Sequence, residues 1–502
     1  MQIKKTINVL GLFIALISPF SSFAQKDSKA NEAKTTTSRI SKIVKSTPIS
    51  LRPDISIEKF MDVEPNAVRL LIHPVSGDFY YTTFDGGVFH ITKKDDSFVS
   101  EKIISLEDHG INKLQGAVFA GSELFLCGNT IENNNRGTRG RVVRFSITPK
   151  NKPLLTVVFN TEPYGLNATT WDHGWNALEM SPDGRYIFVN SGSRTGHGEI
   201  QDDKGVYPNA RDNALTTKIF RIPVDAQNLV LPNDSDKLKS AGYLYAEGIR
   251  NAYDMAFDPS DNLFAVVNSS DYDHSEDMFW VRQGRHYGFP WIMGGIENPQ
   301  QYPDFMPDPK KDPFLNATSH GMLMKYFRND PDFPKVPEGI KFNPGVQNLG
   351  PDANEYRGHS GKILDGDNTG VSISTFTAHS SPLGLVFDNK MALSDEFKGD
   401  GFVLRNTIGT KSSLMKPFTN QGRDLLHLDM SYDKASDNYF VKTTRIMDSF
   451  NNPTDAVLLG NSLYIIEYDA KEGSIWKVNL PPGSKKIKGS KKKNNQANLL
   501  TD

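Results

Sequence analysis

The chain has 502 residues and a formal net charge of −2, from 57 Lys and Arg against 59 Asp and Glu. That balance argues against a nucleic-acid partner, which calls for a basic face. With one cysteine, Cys127, there is no internal disulfide, no CxxCH haem site and no cysteine metal cluster.

Lys4 and Lys5 precede an apolar run, Val9 to Ile17, which ends at Ser22-Phe23-Ala24. This order predicts a secretory signal cleaved after Ala24, and so a periplasmic or secreted protein. The run is short for a bilayer span, so no membrane span is expected after cleavage. Residues 25–50 are rich in Lys, Ser and Thr and predict a flexible leader.

A repeating unit then begins: a short strand, a polar turn and a second strand. It reads Phe79-Tyr80-Tyr81 with Val88-Phe89-His90-Ile91, then Leu124-Phe125-Leu126 with Val142-Val143-Arg144-Phe145. Further units start at Tyr186, Leu263, Phe402 and Leu463. Six units predict an all-β fold, a six-bladed β-propeller over residues 51–482. Cys127 falls in a strand pattern and is expected to be buried. The widest gap, Leu263 to Phe402, holds the Pro- and Asp-rich stretches Asn298 to Pro313 and Asn329 to Asn354. It predicts a long, loop-rich insertion between blades 4 and 5. The lysine-rich residues 483–502 predict a disordered basic tail.

A propeller converges its inner strand ends on an axial mouth, where loops carry chemistry. Five segments carry candidate chemistry. In Trp171-Asp172-His173-Gly174-Trp175, followed by the turn Pro182-Asp183-Gly184, His173 is a candidate general base, because imidazole titrates near neutrality. In Gly248-Ile249-Arg250-Asn251, Arg250 offers a fork for a carboxylate. The acidic run from Asp271 to Asp277 offers oxygen ligands that a hard cation such as Ca²⁺ prefers. His379-Ser380-Ser381-Pro382-Leu383-Gly384 and Arg405-Asn406 complete the set.

Together these segments resemble the glucose/sorbosone dehydrogenase family, the soluble PQQ-dependent sugar dehydrogenases, over roughly Ile55 to Val478. The resemblance rests on His173 to Gly184 and on Gly248 to Pro259, where Ala252 stands in place of the usual Pro. It rests also on Gly284 to Pro290, with His286 and Phe289 substituted, and on His379 to Gly384. The resemblance implies PQQ and Ca²⁺ near the axis and oxidation of a sugar or sugar-derived aldehyde by hydride transfer. It implies His173 as the base, with Arg250, Asn251, Arg405 and Lys411 at the cofactor. Asp172, Trp175 and His379 are expected at the substrate, and Ser270 and Asp271 at the metal. With no haem motif, electrons would leave to an external acceptor. The approach to blade 6, Asn451-Asn452-Pro453-Thr454-Asp455, lacks the arginine pair that glucose-oxidising members carry there. Two alternatives stay open: a non-redox carbohydrate-binding propeller, and a lyase or hydrolase on the same scaffold.

Overall fold

The structure is a computed structural model that describes residues 46–132, 136–148, 151–165, 172–200, 211–407, 418–420 and 422–484. The expected signal, most of the expected leader and nearly all of the expected tail lie outside the described residues. No helix among the described residues is long and apolar enough to cross a membrane.

Six antiparallel sheets form the blades, and their innermost strands follow one another around the axis. Those strands are Ala67–Ile72, Lys113–Ala120, Trp175–Met180, Ala252–Phe257, Pro382–Phe387 and Pro453–Leu459. The pairs read from the sequence are the second and third strands of each blade. In blade 4, for example, these are Leu263–Val267 and Asp277–Val281. Such strands are covered on both faces by neighbouring blades, so they read as continuous apolar runs. The turn at Pro182-Asp183-Gly184 forms as expected. Asp183 accepts from the Ser181 hydroxyl at 2.6 Å, and Gly184 takes a φ of +70°.

Each of the six blade interfaces carries its own buried apolar cluster. The cluster between blades 2 and 3 holds Cys127, which is fully buried with its thiol pushed up by burial. Strand Ser56–Val63 pairs with Gly473–Asn479 and becomes the outermost strand of blade 6, so the two ends of the propeller close the ring. Before it, Ile49–Ser50 pairs with Asp448 and Met447 at the edge of blade 5. The last residues of the expected leader are therefore strand.

Residues 282–381 connect blade 4 to blade 5 through short elements. Arg285–His286 pairs in parallel with Leu244–Glu247 of blade 3, and Gln347–Pro351 pairs in parallel with Asn438–Asp448 of blade 5. A separate apolar cluster, including Phe305, Phe314 and Phe327, packs this segment on Tyr272. It buries the acidic run Asp271–Asp277.

Candidate functional site

His173 lies two residues before the inner strand of blade 3, at the end of the channel where the inner strands begin. Its backbone N–H donates to Ser193 O at 3.0 Å. Its Nδ1 is 3.0 Å from the same carbonyl and 3.1 Å from Ser193 Oγ. A carbonyl only accepts, so Nδ1 carries a proton. Gln115 Nε2 holds the His173 carbonyl at 2.9 Å. Gly174 is required next: it has a φ of +73°, and a Cβ there would sit 2.4 Å from Asn129 Oδ1.

The same loop joins the second expected segment. Ser193 N donates to Arg250 O at 2.6 Å. A Cβ on Gly192 would lie 2.7 Å from His173 Cβ and 3.0 Å from Asn251 Oδ1. The bare glycine thus lets His173, Arg250 and Asn251 meet. An amide ladder runs outward from them, Asn190 to Asn176 (2.7 Å), Asn176 to Asn251 (2.6 Å) and Asn251 to Asn268 (3.1 Å). Arg250 donates to the carbonyls of Gly196 and Asn268. Burial lowers its guanidinium to about 10, against the pull of Glu276, Asp271, Glu199 and Asp212.

Asp172 is buried and lies near Lys113, the first residue of the blade 2 inner strand. Burial lowers the Lys113 amine while the Asp172 charge opposes that shift. Trp175, expected at the substrate, is 0% exposed. It packs edge-on to Phe159 and against Phe220 in the core between blades 2 and 3. This corrects the expectation: alternation along the strand turns Trp175 away from the mouth.

The acidic run forms a buried charge cluster. Asp271 Oδ2 accepts from Gly321 N at 2.6 Å, and Oδ1 lies 3.1 Å from His197 Nε2. Burial would raise Asp271, but the bond to His197 and its charge hold it below its ordinary value. Ser270 Oγ lies 3.3 Å from His274 Nδ1. His379 bonds Asp273 at 2.8 Å, and Arg357 holds the other oxygen of that carboxylate. Burial opposes charge on His379, yet Asp273, Glu276 and Asp271 keep it above its ordinary value. The clustering of His197, His274 and His379 was not legible in the sequence, because 182 residues separate the first from the last.

Arg405 ends the second strand of blade 5 and is 0% exposed. It forks onto Asp424 at 3.0 and 2.6 Å and onto Asn420 at 2.9 Å, while its Nη1 is buried with no acceptor among the described residues. Arg423, half-buried beside it, donates to Thr407 O. Lys411 lies outside the described residues.

These side chains can be tested against the two expected groups. Among the described residues, no three His, Cys, Asp or Glu side chains are arranged to hold a metal ion. Asp271 is engaged by His197 and Gly321 and Ser270 by His274, so the residues do not fit a calcium centre through their side chains. An anionic cofactor fits better. Lys113, Arg250, Arg405 and Arg423 stand at the His173 end of the channel, and the orphaned Arg405 Nη1 is a donor in search of an acceptor.

No protein-family model matches the chain, and no curated protein matches it in sequence. Solved structures do match its fold. The apo soluble aldose sugar dehydrogenase of Escherichia coli superposes with a TM-score of 0.53 at 16% identity, covering 85% of this chain and 99% of that one. A glucose dehydrogenase superposes with a TM-score of 0.53 at 14% identity, over 84% of this chain and 99% of the other. Its structural neighbours are soluble sugar dehydrogenases, and the chain has their propeller fold.

Proposed function

We propose that this protein is an exported quinoprotein-type dehydrogenase that oxidises a sugar or sugar-derived aldehyde. The observation that carries the reading is the His173 ring, held at Nδ1 by Ser193 beside Arg250 and Asn251. In this reading Nε2 takes the substrate hydroxyl proton, and Ser193 holds the ring as it becomes charged. PQQ, when bound, supplies a two-electron acceptor for the hydride that leaves the same carbon. Arg250, Asn251, Arg405 and Lys411 are the residues that would hold it, with Lys113 and Arg423 adding charge. His379 and Asp172 remain candidates for substrate contact. The reduced cofactor would pass its electrons to an external acceptor.

One observation favours a second reading. Arg405 forks onto Asp424 with two of its nitrogens, and Arg250 is ringed by carboxylates, as a propeller that binds carbohydrate without a cofactor would allow. The third reading, a lyase or hydrolase, needs an acid within hydrogen-bond reach of His173; its Nδ1 meets Ser193. Titration of PQQ into the purified protein separates the first two. The proposal expects saturable one-to-one binding at micromolar PQQ, weakened by Arg250→Ala. Absence of saturable binding would leave the carbohydrate-binding propeller.

A further inference from the structure

A cavity of about 290 Å³ lies outside the channel, between blade 3 and the segment that follows residue 285. Its floor includes a row of paired residues running outward across the sheet, Lys218 to Glu247 and Glu247 to His286. Lys218 is buried, with its side chain 9% exposed. Its ammonium donates to Thr216 O at 3.2 Å and lies 4.0 Å from Glu247 Oε2. The other oxygen of Glu247 is taken by Lys239 at 2.9 Å. Two ammonium groups therefore share one carboxylate, and the cluster keeps an excess positive charge inside a partly dry wall.

The remaining charges at the rim do not cancel that excess. Arg211 is paired with Asp330. Asp212 also pulls on Lys218, but burial pushes its carboxyl toward the neutral form and the Arg194 charge answers it, with Arg194 N at 2.7 Å and the Thr195 hydroxyl at 2.9 Å. His286 adds a neutral donor. Gly288 N donates to its Nδ1 at 3.1 Å, which puts the ring proton on Nε2. The opposite wall is Trp291, Pro334, Pro337 and Ile340, a C–H-rich surface suited to the flat apolar face of a small ring or chain.

We propose that this cavity is a second binding site, for a small polyhydroxylated carboxylate of the sugar-acid class. The carboxylate completes the Lys218–Lys239 pair, His286 donates to a hydroxyl, and the Trp291 wall covers the carbon skeleton. Charge-assisted pairing away from bulk water is the part of this arrangement that supplies selectivity. The site stands independently of the oxidation proposed above, because its binding groups, Lys218, Lys239, His286 and Trp291, are none of the residues assigned there to cofactor or substrate.

Calorimetric titration of the full chain with gluconate and, separately, with glucose tests it without any turnover. Gluconate should bind one-to-one, with glucose roughly tenfold weaker or worse. Lys218→Met should lose roughly tenfold or more in gluconate affinity while the melting temperature is held. Lys239→Gln changes a half-exposed residue; it should weaken gluconate several-fold and decides the matter if Lys218→Met fails to fold. Equal binding of gluconate and glucose, gluconate binding unchanged in both variants, or no saturable heat with gluconate would each overturn the proposal.

Discussion

At the scale of single residues, the assignment of His173 rests on a carbonyl rather than on a carboxylate. Ser193 O fixes a proton on Nδ1, and Ser193 Oγ stands by to accept as charge develops. Removing the imidazole while leaving the loop intact should therefore strike the chemical step. His173→Ala is expected to lower kcat by about 10²–10⁴-fold in dye-linked assays, with PQQ binding retained. A rise in KM with unchanged kcat would make His173 a binding residue only. The place of His173 at the start of a strand was legible in the sequence because a distinctive local string surrounds it. Trp175, in the same string, was misread, because strand alternation sends it into the core. Lys113 and Ser193 were not singled out, since each is unremarkable in its own segment and gains meaning only where blades converge.

At the scale of strands, the inner ring explains why these elements were the hardest to read. Arg69, Gln115, Asn176 and Asp254 interrupt their apolar pattern because they face the channel or its mouth. Arg69 lies 3.2 Å from Asp254 and 3.8 Å from Asp455, donates to Gln115 O and Tyr253 O, and covers the Tyr253 ring. Glu179 joins the two aspartates. Two carboxylates thus share one guanidinium, with Glu179 close by. Burial first, and then the neighbouring Asp254, push Asp455 up to about 7 despite Arg69. A carboxyl raised in the folded state binds its proton more tightly there than in the unfolded chain. Its stabilisation is complete below about pH 4, near its ordinary pKa, and is lost as pH rises through about 7. Melting temperature should fall between pH 5 and pH 8, and Asp455→Asn should flatten that fall. An equal slope in the variant would show that Asp455 does not titrate in this range.

At the scale of the whole molecule, six apolar interfaces and a strand borrowed from the N-terminal side make one closed ring. The repeat count was legible because second and third strands are apolar on both faces. Closure was not, because Ser56–Val63 meets a partner about 400 residues away and belongs to no local repeat. The parallel pairing of segment 282–381 with blades 3 and 5 was not legible, since two- and five-residue strands leave no period. The ring brings the His173 loop, the Arg250 segment and the blade 5 arginines to one end of the channel. Whether that end oxidises a sugar is the central claim. The most direct test is dye-linked oxidation of a panel of aldoses and aldehydes by the protein preloaded with PQQ. The account predicts saturable turnover of at least one of them, dependent on PQQ. PQQ bound without turnover of any sugar or aldehyde would contradict it.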